Sequence, residues 1–215
     1  MCSRYTLIPE ERAFGDLDRI STTVRHALLA WPPRPRLAPT DPVPIIVQRR
    51  GEEPAVVTAR WGFVPRWWNK VELPKLCFNA RSEEATVKPM WRDAFRESRC
   101  LVPATSWIEW QKAQGAKIPH TLDPHTEGGG RGFLFAGLWS EWQSRDEADA
   151  LVTCALLTRE AAPTIRHIHD RMPIVRAPAA WRDWLDPALS DAKRLRELIE
   201  AHTVTAVRAV TVGSH

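Results

Sequence analysis

The sequence predicts an α+β fold: a single β-rich domain over residues 1–215, with a mixed or antiparallel, barrel-like sheet and a few flanking helices. Three features predict it. A chain of 215 residues can bury one sizeable core without staples. Short apolar segments of strand length, bounded by turn residues, outnumber the stretches with helical spacing. No internal repeat and no linker-like segment divides the chain.

In order, residues 3–8 read as a short strand. Leu17, Ile20, Val24 and Leu28 share one face of a helix running from about Asp16 to Ala30. Trp31-Pro32-Pro33-Arg34-Pro35 ends that helix in a stiff extended connection. Val43 to Gln48 and Ala55 to Trp61 are strands joined by a turn at Gly51. Gly62 to Phe78 is long and irregular. Pro89 to Arg99 suits a helix with Trp91, Ala94 and Phe95 inward, Pro89 standing near its start. From Cys100 to Trp110 the alternation of a strand puts Trp107 and Glu109 on one face and Ile108 and Trp110 on the other. Asp123 to Gly132 is a glycine-rich hairpin tip, and Phe133 to Trp142 and Leu151 to Thr158 are further strands. Ala161 to Ile165 is at most one helical turn. Pro178 to Leu185 and Ser190 to Ala201 are helices, the second amphipathic through Leu195, Leu198 and Ile199. The alternating valines of Thr203 to Val212 form a closing strand.

Composition narrows the function classes. No run of about 18 apolar residues exists, so no membrane span is expected. Arg4, Glu10, Glu11 and Arg12 interrupt the start of the chain where a signal peptide needs an apolar stretch. Cys2, Cys77, Cys100 and Cys154 are widely separated, which indicates neither a zinc site nor a disulfide framework, and the last three read as buried core thiols. A reduced, cytoplasmic protein, associated with the nucleoid when bound to DNA, is expected, with no metal and no cofactor. The net charge is +4, and 24 of the 30 basic residues are Arg. The planar Arg fork suits phosphate, although codon bias in a GC-rich genome produces the same enrichment. Eleven tryptophans are many for this length. Most must be core, but Trp also stacks single-stranded bases.

Four places carry chemistry. Removal of Met1 would leave Cys2 with a free α-amine and a thiol on adjacent carbons, one able to condense with an aldehyde and the other a strong nucleophile. Most Met-Cys starts do nothing, so this feature needs support from the rest of the chain. Trp67 and Trp68 cannot both enter one core from an extended segment, so one of them is either a surface wedge beside Arg66 and Lys70 or packed beneath its own loop. Glu109 is either a solvated strand-edge carboxylate or, held beside indole surface, an acid/base with a raised pKa. In His167-Ile168-His169-Asp170-Arg171-Met172-Pro173, no third ligand stands at a zinc-like spacing. His169 as acid/base and Arg171 as an anion clamp is the sharper reading.

Five motifs then coincide in order: Met1-Cys2-x-Arg4-Tyr5; Trp61-Gly62-x-x-Pro65 with Trp67-Trp68; Phe78-Asn79-Ala80-Arg81-Ser82-Glu83; Arg99-Cys100-Leu101-Val102-Pro103-Ala104 running to Glu109-Trp110; and His167-x-His169-x-Arg171-Met172-Pro173. Together they resemble the SOS response-associated peptidase (SRAP) family, the abasic-site processing proteins. The resemblance implies that Cys2 is the nucleophile for the ring-opened sugar of an abasic site in single-stranded DNA. It implies that Asn79 orients the amine and the sugar, Glu109 handles the amine's proton, and His169 assists ring opening. Arg4, Arg81 and Arg171 are similar to the family's phosphate contacts, Trp67 and Trp68 to its wedge, and Thr158 to a further active-site hydroxyl facing the DNA. Ser3 replaces the usual Gly, Thr105-Ser106-Trp107-Ile108 replaces Asp-Gly-Phe-Tyr, and the C-terminal stretch ends early.

The resulting expectation is a monomeric abasic-site sensor that forms a covalent thiazolidine cross-link by Schiff-base, lyase-type chemistry. Two other readings stand beside it. One is a thiol peptidase or amidase with an N-terminal nucleophile, including self-removal of Met1. The other is a non-catalytic single-strand-binding module built from Arg and Trp.

Overall fold

The structure is a computed structural model and describes residues 2–70, 72–113, 115–124, 132–143 and 149–212. Its strands are β1 (Tyr5–Leu7), β2 (Arg34–Leu37), β3 (Pro42–Val47), β4 (Ala55–Trp61), β5 (Asn79–Arg81), β6 (Arg99–Ala104) and β7 (Ser106–Ala113). They continue with β8 (Ala116–Pro124), β9 (Phe133–Trp142), β10 (Leu151–Glu160), β11 (Arg171–Pro173), β12 (Val175–Arg176) and β13 (Val207–Thr211).

Strands β10, β4, β3, β6 and β9 close on themselves, because β9 pairs with both β6 and β10. Only the β4–β10 edge of this ring is parallel. The fold is therefore the mixed, barrel-like α+β domain that the sequence predicts. Closure removes the open edges that a five-stranded sheet would otherwise present. It also crowds β9 between its neighbours. A Cβ at Gly137 would stand 2.8 Å from the Cys100 Sγ and 3.0 Å from the Ala155 carbonyl, so glycine is required for that approach.

A second sheet, in the order β13-β8-β7-β1-β2, packs against the barrel. The two are joined by edge-to-face aromatic contacts: Tyr5 meets Trp61 and Phe135 at 5.2 and 6.0 Å, and Trp107 meets Phe133 and Phe135 at 5.7 and 5.8 Å. Such pairs add about 0.5–1.5 kcal/mol each beyond the area they bury.

Several expectations change in detail. The helix expected from Asp16 to Ala30 breaks into a 3-10 turn, Gly15–Arg19, and an α-helix, Thr22–Leu29, because the Ser21 side chain accepts the Thr23 N–H and starts a new helix. The four apolar residues chosen for it are nevertheless all buried. The helix expected from Pro89 starts only at Arg92, after a turn, and Asp191 caps the helix Ala192–Ala201. Cys100 and Cys154 are core thiols, but Cys77 is half-buried, since it lies on the irregular stretch before β5. Strand β8 was not anticipated: Pro119 and the flanking polar residues of Ala116–Pro124 obscure its alternation. Most of the expected hairpin tip from Asp123 to Gly132 lies outside the described residues. No helix among the described residues is long and apolar enough to cross a membrane.

Two of the arginines are spent inside the molecule. Arg99, at the start of β6, donates to the carbonyls of Phe95, Arg96, Trp184 and Asp186. Arg176 donates to those of Leu198 and Ile199, and the two guanidinium groups lie 5.7 and 5.4 Å from the Trp184 ring. Burial lowers the pKa of each to about 10. Part of the Arg excess is thus structural.

Candidate active site and nucleic-acid interface

Residues 2–4 lead into β1 beside β7. The Arg4 carbonyl accepts the Ile108 N–H at 3.0 Å, and Tyr5 and Thr6 pair with Trp107 and Ser106. This register sends the N-terminal end toward the face of β7 from which Glu109 projects. The predicted alternation is observed: Trp107 and Glu109 are buried, while Ile108 and Trp110 are partly exposed.

From the barrel, β5 lies parallel on β10, pairing Asn79 with Leu156 and Arg81 with Thr158. That brings the Asn79 Nδ2 to 2.7 Å from the Cys2 carbonyl oxygen, to which it donates. The Asn79 Oδ1 is buried with no hydrogen-bond partner among the described residues. One side of this amide is therefore committed to the chain and the other is open to a donor. Cys2 is fully buried, and its thiol donates weakly to the Arg4 carbonyl at 3.7 Å.

Burial dominates the electrostatics. It raises the Cys2 thiol well above its ordinary pKa, and the Glu109 charge raises it further, so the sulfur is a thiol at neutral pH. Burial likewise lifts Glu109 to about 7, with the Asp170 charge pushing the same way. Glu109 thus lies within electrostatic reach of both the Cys2 sulfur and the loop that carries His169. Burial depresses His169, which is neutral at pH 7, and its Nδ1 accepts the Arg171 N–H at 2.9 Å.

Cys2, Asn79, Glu109 and His169 are therefore brought together from the segment before β1, from β5, from β7 and from the β10–β11 connection. Arg4 stacks on Trp110, 5.0 Å from the ring centroid, and Arg81 is exposed beside Glu84 at 3.7 Å. Trp67 is 51% exposed and Trp68 half-buried, their centroids 6.0 Å apart. Both expected alternatives are realised: Trp67 faces outward, while Trp68 is tied under its loop by donating to the Glu72 carbonyl at 2.8 Å.

Two of the expected DNA contacts, Thr158 and Arg171, make internal contacts in this structure. Thr158 is fully buried, its hydroxyl donating to the Ala80 carbonyl at 3.4 Å, so it forms a wall rather than a surface. Arg171 is not a free anion clamp: its fork is held by the two Glu83 oxygens, each at 2.9 Å, and it also donates to the Thr158 carbonyl at 2.9 Å. Burial pushes the Glu83 carboxyl up, but hydrogen bonding and charge from Arg171 outweigh it and hold the pKa below the usual range. Sequence reasoning quoted Glu83 inside a motif but gave it no role. Its partner stands 88 residues away, with no local signal to link them.

The family model described as SOS response associated peptidase (SRAP) matches residues 1–215. The chain belongs to the SRAP family. Among curated SRAP relatives, the abasic site processing protein YoaM of Bacillus subtilis is 30% identical over 216 residues, covering all of this chain and 92% of that protein. YoqW of the same organism, named likewise, is 28% identical over 215 residues and covers all of this chain and 93% of its own length. The abasic site processing protein YedK of Escherichia coli is 28% identical over 181 residues, with 78% and 77% coverage. A solved protein from Bacteroides thetaiotaomicron superposes with a TM-score of 0.80 at 23% identity, over 99% of this chain and 93% of that one, which establishes the shared fold.

Proposed function

We propose that this SRAP chain, once Met1 is removed, handles abasic sites by forming a covalent thiazolidine between Cys2 and the opened sugar aldehyde of a lesion in single-stranded DNA, shielding the strand. The observation that carries the reading is the hydrogen bond from Asn79 to the Cys2 carbonyl, with Glu109 titrating near neutrality beside the same thiol. Membership of the SRAP family and relatives named abasic site processing proteins support it.

The reaction begins with the closed sugar, which is unreactive. The neutral His169 relays a proton: its ring N–H passes to the ring oxygen as the C–O bond breaks, and the anomeric hydroxyl returns its proton to the same nitrogen as the aldehyde forms, so the imidazole ends as it began. Glu109 in its charged form takes a proton from the Cys2 ammonium, and the free amine adds to the aldehyde and expels one water to give an imine. The thiol then adds across the C=N bond: an S–C bond forms and the S–H proton ends on nitrogen. Because burial keeps the sulfur protonated, sulfur attack follows imine formation rather than competing with it. Holding amine, thiol and aldehyde together replaces a bimolecular encounter. Arg4 and Arg81 neutralise phosphates, and Trp67 stacks on a base beside the lesion.

The test is incubation of the Met1-free protein with a single-stranded oligonucleotide carrying one abasic site. The expected product is a heat-stable adduct whose mass is the sum of the two components less one water. An N-terminally extended control and Cys2→Ala should form no stable adduct. A transient acyl-enzyme without DNA attachment would replace the reading with a thiol peptidase. Salt-sensitive binding indifferent to both the abasic site and Cys2→Ala would replace it with a single-strand-binding module.

A further inference from the structure

We infer that Glu83 is a positioning residue: through the fork of Arg171 it fixes the backbone amide that selects the Nε2–H tautomer of His169. The inference rests on the reading above, in which His169 acts on the sugar. The geometry is a continuous chain of contacts. Both Glu83 oxygens accept from the Arg171 guanidinium at 2.9 Å, a bidentate pairing that sets direction as well as distance. The same guanidinium reaches the Thr158 carbonyl at 2.9 Å, and β11 pairs Arg171 with Glu160. Arg171 is thereby held from its backbone and from its far end, between the segment that follows Asn79 and strand β10. Its amide then donates to the His169 Nδ1 at 2.9 Å.

A ring nitrogen that accepts a hydrogen bond carries no proton in the neutral imidazole, so the proton lies on Nε2. That is the tautomer able to donate to a sugar oxygen. The Asp170 Oδ1 competes for the same nitrogen at 2.9 Å, but it accepts and would require the proton on Nδ1. The contest is settled by anchoring: the Asp170 side chain is 84% exposed and can turn into water, whereas the Arg171 amide is braced from both sides. Removing Glu83 releases one brace and lets Asp170 draw the proton to Nδ1. Glu83 is half-exposed on a short helical turn, Ser82–Ala85, so its truncation leaves the core intact.

The experiment is long-range ¹H–¹⁵N NMR of the histidine rings in the full chain above pH 7, with His169→Gln for assignment. The parent should show His169 as Nε2–H. Glu83→Ala should move it toward Nδ1–H, and Glu83→Gln, which keeps one acceptor oxygen, should restore it in part. Arg171→Lys, which keeps the charge but not the fork, should behave like Glu83→Ala. Adduct formation by Glu83→Ala should slow roughly tenfold to a hundredfold, the scale of a small misplacement of a reacting group. Affinity for the same strand without an abasic site should stay within about twofold, since no phosphate contact is lost. An unchanged His169 tautomer in Glu83→Ala overturns the inference. So does tighter DNA binding with a steeper salt dependence, which would mean that Glu83 merely masks a phosphate-binding Arg171. If the tautomer moves as expected but no variant, parent included, forms an adduct, the positioning role stands and the proposed function falls.

Discussion

The Asn79 side chain holds Cys2 by its carbonyl oxygen and not by its sulfur. The residue proposed to react is therefore located through the backbone, while its thiol makes only a weak 3.7 Å contact to the Arg4 carbonyl. Asn79→Ala leaves the buried Cys2 carbonyl without its donor, a cost of about 1–3 kcal/mol, and Asn79→Asp adds to that the repulsion of a second acceptor. Adduct formation should accordingly fall further in Asn79→Asp than in Asn79→Ala. Single-turnover gel kinetics at pH 7 decide the order, and the reverse order would remove Asn79 from the positioning of Cys2.

Glu109 gives a pH-dependent stability. Its folded pKa of about 7 lies above the unfolded value of about 4.3, so between these values the folded chain binds more protons than the unfolded one. Stability is highest below pH 4.3 and falls as pH rises through 7. Glu109→Gln removes that penalty. It should be more stable than the parent by up to roughly 3 kcal/mol at pH 8 and no more stable at pH 4. Urea denaturation at the two pH values measures the difference, and a gain that does not depend on pH would contradict the raised pKa.

Trp67 and Trp107 separate recognition from folding. Trp107 is fully buried between the two sheets, so Trp107→Ala should cost about 3–5 kcal/mol of stability. Trp67→Ala should change stability by less than about 1 kcal/mol. It should instead lose about 1–3 kcal/mol of single-strand affinity. Melting curves and fluorescence anisotropy on the two variants test both halves of the statement.

Thr40 is a strained position. It sits at φ +83°, in a turn where Asp41 accepts the Ala38 N–H at 2.9 Å and Thr40 itself donates to the Trp61 carbonyl at 2.8 Å. A β-branched residue there costs on the order of 1–3 kcal/mol, part of which glycine returns as unfolded-state entropy. Thr40→Gly should therefore raise stability by about 1 kcal/mol, readable as a shifted urea midpoint with an unchanged slope.

The legible parts of the sequence were those where one residue and its near neighbours decide the outcome. Alternation alone put Trp107 and Glu109 on one face, which proves to be the buried one, and adjacency alone required one of Trp67 and Trp68 to turn outward, which proves to be Trp67. What could not be read depended on partners remote in sequence. The pairing of Arg171 with Glu83 spans 88 residues, and nothing local shows that the Thr158 hydroxyl meets the Ala80 carbonyl of β5. Nothing local marks Arg99 and Arg176 as buried, because Trp184 and the carbonyls that enclose them come from other elements. The break before Ser21 was local and could have been found from its capping chemistry.

Strand β1 pairs with β7 at Tyr5 and Thr6, with one further bond from the Ile108 N–H to the Arg4 carbonyl, while Asn79 belongs to the barrel. The N-terminal segment proposed to react thus bridges the seam between the barrel and the second sheet and is fastened by few bonds on one side. Gentle heating should unclip that terminus while circular dichroism still reports a folded molecule, so the proposed cross-linking would be lost before the fold melts.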